Sequence, residues 1–553
     1  MKKYLILLLL SILLIVPIAY ISLCINYDLN ILKSYDLILQ VYNEIFIEKR
    51  KLETKAYISL VWGFLPFLVL HLYMWNSRMK PSYGYAKFAT LSIIKKMKGL
   101  SFKKGFVLGK FKGKKLFSND PLSMCVFAPP SAGKTSAIVI PNLLTLPQSS
   151  IVTDIKAELY KKTSQYRKEK LGNEIYVFSP YGTDNNYNFN PFAKELINDL
   201  IFDDKMVLVK EIANVIFEKE QGDPHWSESA KMIFIMFAIY DIEKKGETNL
   251  YELQRYPKKS AEELLTPEYQ ELKQMIEEEQ EIVIDDLKMF FKQVTNDEDI
   301  NLITSDYARS LERTNSKEFK SIVSTYSRKM DIFTDNRIKE IVSSNSFPLN
   351  DLKKKNITIY TVMKEKDIPA LTPLIKVWKK YIIQNLMEEE NTNENERVIF
   401  YEDEFIRLGK IESLVEAPAL ARGYNLKFIY IAQNPSQVTR VYSPEHLKEL
   451  MGSVAYNIFF AMSDVEEAER TAKAIGNLTR NKVSENSQAT KLFGSKNKSQ
   501  EGYGLITPQD LLNLKDDEVL ILVYRHTATP IKAKVNYWFK DSSLKRIVSK
   551  YGL

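Results

Sequence analysis

Cysteine and histidine are scarce in this chain of 553 residues, which has two cysteines, Cys24 and Cys125, and four histidines. That excludes a disulfide framework, a zinc-finger spacing and any His/Cys metal cluster. Acidic side chains are missing altogether from Arg78 to Lys115, a run that holds 12 Lys or Arg. This run outweighs the whole formal net charge of +8, so the chain beyond it is net acidic. Overall basicity is therefore no argument for nucleic-acid binding by the body of the protein. Charge itself is missing from two stretches, the 24 residues between Lys3 and Asp28 and the segment Ala56 to Ser77. Each is long enough to cross a bilayer as a helix, and the second closes on Tyr73 and Trp75, residues suited to a membrane interface. No small-residue cleavage site follows the first stretch, and Leu23 before Cys24 does not suit a lipoprotein signal.

What is present begins with a membrane expectation. Residues 1–80 read as a transmembrane hairpin with spans at about 4–25 and 56–77. Lys2 and Lys3 before the first span and the basic run after the second place both termini in the cytoplasm, with a charge-balanced loop outside. The basic run itself reads as a segment lying on anionic lipid headgroups. The expected location is the plasma membrane, multi-pass, with the large C-terminal body in the cytoplasm. A composition of 45% hydrophobic and 26% charged residues marks that body as globular, and its length calls for more than one domain.

The most informative segment is Met124-Cys-Val-Phe-Ala-Pro-Pro-Ser-Ala-Gly-Lys-Thr-Ser136, an apolar run that ends in a tight loop and Gly-Lys-Thr. Backbone amides of Ser131, Ala132, Gly133, Lys134, Thr135 and Ser136 can cradle phosphates at the positive end of the helix that starts there. Lys134 would reach the β and γ phosphates of ATP, and the Thr135 hydroxyl would ligate Mg²⁺. The usual pattern has glycine at 128; alanine stands here, before a proline that holds it extended. The following helix, Thr135 to Leu146, contains Pro141 and should kink or be short.

Strands at Ser150–Thr153 and Glu174–Phe178 around a helix from about 156 to 169 indicate a parallel sheet covered on both faces. From about 200 to 345 the pattern is helical, and strands return at Ile357–Val362, so an all-α segment is inserted into one α/β domain. Within it, residues 261–300 hold 13 acidic and 3 basic side chains, a surface that suits a protein partner better than DNA or is simply solvated. Strand Arg397–Tyr401 leads into Glu402-Asp403-Glu404, two carboxylates of which could hold Mg²⁺ and polarise the attacking water, with the register open. Strand Lys427–Ala432 ends in Gln433, which could hydrogen-bond the γ-phosphate, and Arg422 in the turn before it could serve a neighbouring subunit. The polar stretch 479–502 reads as a mobile surface loop or a lining for a DNA backbone.

In this order the segments resemble the coupling proteins of conjugative type IV secretion, the TraG/TraD family of membrane-anchored hexameric ATPases. The resemblance runs from about Tyr83 to the C-terminus, through Gly84-Tyr-Ala-Lys-Phe-Ala89, the phosphate loop, Pro141-Asn-Leu-Leu144, Asp154-Ile-Lys-Ala-Glu158 and Asp223-Pro-His-Trp-Ser-Glu-Ser-Ala230. It continues through Asp403-Glu-Phe-Ile-Arg-Leu-Gly-Lys410, Ala421-Arg-Gly-Tyr424, Ala432-Gln433, Leu505-Ile-Thr-Pro508 and Pro530-Ile-Lys-Ala-Lys534. The resemblance implies a RecA-like P-loop nucleotide-binding domain in two parts, 81–200 and 346–553, around an all-α domain at 201–345. It implies that Asp403 is the metal-side acid, Glu404 the catalytic acid, Arg422 an arginine finger acting in trans and Gln433 a γ-phosphate sensor. Asp154 caps a helix or belongs to the site.

The expected function is that of a membrane-anchored coupling ATPase, using ATP and Mg²⁺ to drive relaxase-bound single-stranded DNA to a transfer channel. Its expected partners are single-stranded DNA, the relaxase, other type IV secretion components, the membrane and five further copies of itself in a homohexamer. Two alternatives compete: an FtsK/SpoIIIE-like double-stranded DNA translocase, for which no C-terminal DNA-reading module follows the motor, and a receptor or scaffold for protein substrates.

Overall fold

A computed structural model describes residues 83–218, 224–346, 349, 351–390, 393–485 and 496–553, and scattered positions between 15 and 72. The chain divides into two compact units, residues 1–83 with 479–501, and residues 84–478 with 502–553. The larger unit is built on one 12-stranded sheet. Its strands in chain order are β1 (Leu100–Ser101), β2 (Phe106–Phe111), β3 (Lys114–Ser118), β4 (Met124–Phe127), β5 (Ser150–Asp154), β6 (Glu174–Phe178) and β7 (Ile357–Val362). They continue with β8 (Val398–Asp403), β9 (Leu426–Ala432), β10 (Tyr456–Phe459), a separate two-stranded ribbon of β11 (Asn477–Glu485) and β12 (Lys496–Gly504), then β13 (Glu518–Val523) and β14 (Ile531–Lys534).

The order across the sheet is β1-β3-β2-β14-β13-β10-β4-β9-β8-β5-β7-β6. From β10 to β6 all pairings are parallel, and from β10 outward to β1 they are antiparallel. The parallel strands are almost continuously apolar because both faces are covered; β4, β5 and β9 are buried along their whole length. Alternate residues feed two apolar clusters, so Phe127, Phe178, Phe400 and Phe428 pack on one face and Val126, Tyr360, Ile399 and Ile429 on the other.

After β4 the chain makes a π-helical turn, Thr135–Val139, that runs into α1 (Ile140–Leu143). Pro141 lacks an N–H, so the ladder reopens at this point, and Ile140 N–H bonds back to Thr135 O in a five-residue turn. The helix is short, as Pro141 demanded. Helix α2 (Glu158–Leu171) returns along the sheet and ends at Gly172, whose φ of 71° suits a left-handed cap.

Between β6 and β7 the described elements are all helical, chiefly α3 (Phe202–Ile216), α4 (Pro224–Lys245), α5 (Asp286–Thr295), α6 (Leu302–Arg313) and α7 (Ser316–Lys329). They share an apolar cluster with one face of the sheet, reaching from Phe400 through Phe234 and Phe237 to Tyr326. Helix α8 (Ile368–Leu386) covers the same face, and α9 (Glu412–Leu420) precedes β9. Helix α10 (Ser542–Tyr551) packs beside α2, where Tyr551 meets Tyr166 edge to face.

In the smaller unit the expected spans are described only at scattered helical positions, and no helix of the described residues is long and apolar enough to cross a membrane. Where the two stretches are described they lie close together: a Cβ on Gly63 would fall 2.8 Å from Ala19 Cβ and from Ile15 O. In the segment 479–502, read as a surface loop or a lining for a DNA backbone, residues 479–485 and 496–502 are strand, and residues 486–495 lie outside the described residues. Backbone pairing organises it where no apolar periodicity announced a strand.

Candidate nucleotide site

The parallel strands put their C-terminal ends on one edge of the sheet, and the loops after β4, β5, β8 and β9 meet there. β9 is the only strand between β4 and β8. At about 4.8 Å per strand, the phosphate loop and the carboxylate loop stand roughly 10 Å apart, a gap that two side chains can close.

Ala128 is wholly buried, and its N–H donates to Ala432 O at 3.1 Å, so alanine continues the strand pairing one residue beyond β4. The loop then turns through Ser131 and Gly133, both left-handed, with φ of 62° and 75°. Gly133 is constrained further, because a Cβ there would meet the Tyr537 ring at 2.6 Å. The Tyr537 hydroxyl donates to Asp516 O at 2.6 Å and lies 3.0 Å from Ala132 O. The C-terminal segment thus clasps the outside of the loop.

Residues far apart in the chain converge at its inner end. The Thr135 hydroxyl donates to Asp403 Oδ2 at 2.8 Å, and Lys134 Nζ lies 3.4 Å from Glu404 Oε1. Glu404 takes a left-handed φ of 53°, which turns the chain sharply as it leaves β8. Its other oxygen lies 3.7 Å from Arg407 Nε. The Asp154 carboxylate, at the end of β5, accepts backbone N–H bonds from Glu158 at 3.1 Å and Tyr160 at 2.8 Å. It therefore caps the start of α2, and it also lines a small cavity with Thr135, Asp403 and Glu404. Burial pushes the carboxyls of both Asp154 and Asp403 up to about 6; the Thr135 hydrogen bond and then Lys134 offset part of this for Asp403.

Glu402, which stands where a hydrophobic residue is usual, takes no part. It is fully buried on β8 and holds the Lys379 ammonium of α8 at 2.6 and 2.8 Å, with Thr153 Oγ1 donating to it at 2.8 Å. A carboxylate is tolerated there because its charge is paired on the spot.

The donor set fits a magnesium ion. Asp403 Oδ1 is buried and has no hydrogen-bond partner among the described residues, beside a hydroxyl already oriented toward the same carboxylate. No group of three or more His, Cys, Asp or Glu forms a metal cage among the described residues. An ion here would draw most of its ligands from phosphate oxygens and water, the habit of Mg²⁺.

Of the other expected residues, Gln433 stands on the same edge, at the end of the strand that separates the two loops. Its Oε1 accepts from Gln437 Nε2 at 3.0 Å, which leaves its own amide NH₂ as the donor. Arg422 is not brought to this site. It is exposed in the turn between α9 and β9, at the N-terminal end of the seven-residue β9, about 20 Å of strand away from the Gln433 end. Two residues escaped the sequence reading. Arg407 falls one helical turn after Glu404, a spacing that was available as a signal; Tyr537 lies 403 positions beyond Lys134 and left none.

Residues 87–552 match the family described as Type IV secretory system Conjugative DNA transfer. The protein VirD4 of Rhizobium radiobacter is 26% identical over 467 residues, which make up 81% of this chain and 62% of that protein. The chain therefore spans less than two thirds of the length of that relative. Among solved structures, the bacterial conjugative coupling protein TrwBdeltaN70 superposes with a TM-score of 0.58 at 15% identity, covering 83% of this chain and 96% of that one. The plasmid coupling protein TrwB in complex with ADP and Mg²⁺ gives 0.56 at 14%, with the same coverage. These likenesses support the α/β fold with its large mixed sheet.

Proposed function

The chain belongs to the type IV secretory system conjugative DNA transfer family, and from that membership and the site geometry we propose that it is a coupling ATPase that moves single-stranded DNA during conjugation. The observation that carries the reading is the convergence of Thr135 on Asp403 at 2.8 Å and of Lys134 on Glu404 at 3.4 Å. The TrwB complex with ADP and Mg²⁺ supports the choice of nucleotide and ion.

In this reading amides 131–136 hold the phosphates, Lys134 neutralises the β and γ oxygens, and Thr135 and Asp403 hold Mg²⁺. The bound ion withdraws charge from the phosphoryl oxygens. Glu404 accepts a proton from the attacking water, and Arg407 and Lys134 orient its carboxylate. Gln433 donates to the γ-phosphate through its amide. Arg422, at the opposite sheet edge, acts on the site of a neighbouring subunit, which requires a ring, taken as a homohexamer. Residues 1–80 anchor the chain as two membrane spans, with Gly63 letting them approach closely, and the helices of 201–345 receive the relaxase with its DNA.

The test is mating efficiency with wild type, Lys134→Ala and Glu404→Gln, beside ATPase assays with and without single-stranded DNA. Lys134→Ala should lose nucleotide binding and transfer; Glu404→Gln should keep binding and lose both turnover and transfer. Transfer that persists in both variants would leave a protein receptor or scaffold.

A further inference from the structure

The sheet edge opposite the nucleotide site holds a larger cavity, of about 520 Å³. It opens where β2 begins, where β3 ends, and at the N-terminal ends of β5, β8 and β9. Lys103, Lys104, Lys115, Arg397 and Lys427 line it, and no carboxylate does. Two of these cations are paired with carboxylates outside the lining, Lys115 with Asp541 and Lys427 with Asp120 at 3.8 Å, and the excess of positive charge that remains around the cavity favours an anion.

The site is built rather than incidental. Lys427 is buried, donating to Ser118 Oγ at 3.0 Å and Asp120 O at 3.1 Å, with its ammonium 5.1 Å from the Phe106 ring centre. Burial pushes its pKa down to about 7 against the opposing pull of the Asp120 carboxylate, so a further anion would help to hold it charged. Gln148 Oε1, on the same wall, is buried and has no hydrogen-bond partner among the described residues; turning that amide over presents its NH₂ instead. Lys115 is held by Asp541 at 2.8 Å, whereas Lys103 and Lys104 are exposed at the mouth.

We propose that this cavity binds one phosphate ester, presented as the headgroup of an acidic phospholipid. One observation favours that source: Lys103, Lys104 and Lys115 belong to the acid-free run that directly follows the apolar stretch 56–77. The wall among the cations is mixed, with Phe117 and Leu146 beside Asn119, Thr145 and Gln148. The choice of a lipid rests on the anchor proposed above, but the affinity for a solubilised lipid does not, so the two ideas fail separately.

Native mass spectrometry of the full chain in neutral detergent tests this with phosphatidylglycerol against phosphatidylcholine. Phosphatidylglycerol should bind preferentially, and both Lys103→Glu/Lys104→Glu and Arg397→Gln should weaken it by about tenfold or more. Lys95→Glu/Lys96→Glu, exposed lysines of the same basic run outside the cavity, should change it by less than about threefold. Unchanged melting of the three variants separates lost affinity from lost fold. Equal losses in the two lysine pairs, equal binding of phosphatidylcholine, inorganic phosphate binding as tightly as the lipid, or displacement of the lipid by a single-stranded oligonucleotide would each overturn the proposal.

Discussion

Asp403 couples pH to nucleotide binding in the same window as Asp154, which lines the same cavity. Its pKa stands at about 6 in the folded chain against an ordinary 3.8, because burial disfavours the ionised form. A raised acid binds more protons folded than unfolded, so the nucleotide-free protein should lose stability as pH rises through this window. Magnesium binding needs the ionised form, so Mg·ATP affinity should instead fall as pH drops through about 6. Calorimetric titration of Mg·ATP between pH 5 and 8 checks the direction; affinity that rises on acidification would assign the metal elsewhere. Tyr537 offers a second test at this scale. Tyr537→Phe removes the hydroxyl that reaches Asp516 O and Ala132 O while keeping the ring against Gly133. A neutral hydrogen bond contributes about 0.5–1.5 kcal/mol, so nucleotide Kd should rise by about two- to tenfold, read by displacement of a fluorescent analogue. Lys134 and Thr135 were legible from local spacing, and so was a carboxylate pair after strand Arg397–Tyr401. Which two of three acids face the loop was a matter of pleat and pairing: Glu402 points inward to Lys379, which leaves Asp403 and Glu404 for the edge.

Among the elements, α2 illustrates how much a short helix can organise. Arg167 on this helix is fully buried and donates to Thr358 Oγ1, Leu143 O, Leu146 O, Gln148 O, Ser150 Oγ and Asn173 Oδ1, all between 2.7 and 3.2 Å. It ties the end of α1 to the starts of β5 and β7 without any carboxylate. Arg167→Met would leave several buried acceptors without donors, at about 1–3 kcal/mol each, and should lower the thermal midpoint while Arg167→Lys restores only part of it. An unchanged midpoint would show that water replaces the guanidinium. The sequence placed this helix at about 156–169 and strands at Glu174–Phe178 and Ile357–Val362, where α2, β6 and β7 are found. It did not mark ribbon β11–β12, whose residues are mostly polar and whose order comes from pairing alone.

For the whole molecule, Arg422 sets the strongest demand. It sits at the sheet edge away from its own nucleotide loop, so a catalytic role needs a second subunit. Arg422→Ala should slow assembled turnover by about 10³ to 10⁵ while nucleotide binding stays near wild type. Mixing it with Lys134→Ala protein should restore part of the activity, since each variant contributes the half the other lacks; no recovery would make Arg422 structural. Local chemistry was enough to announce an α/β fold, a phosphate loop and a carboxylate strand, because strand runs, helix periods and glycine turns are set by neighbours in the chain. The strand order, the interposed β9, the burial of Glu402, the Tyr537 clasp and the cationic cavity at the far edge arose only from packing, because each joins residues hundreds of positions apart whose meeting no local pattern encodes.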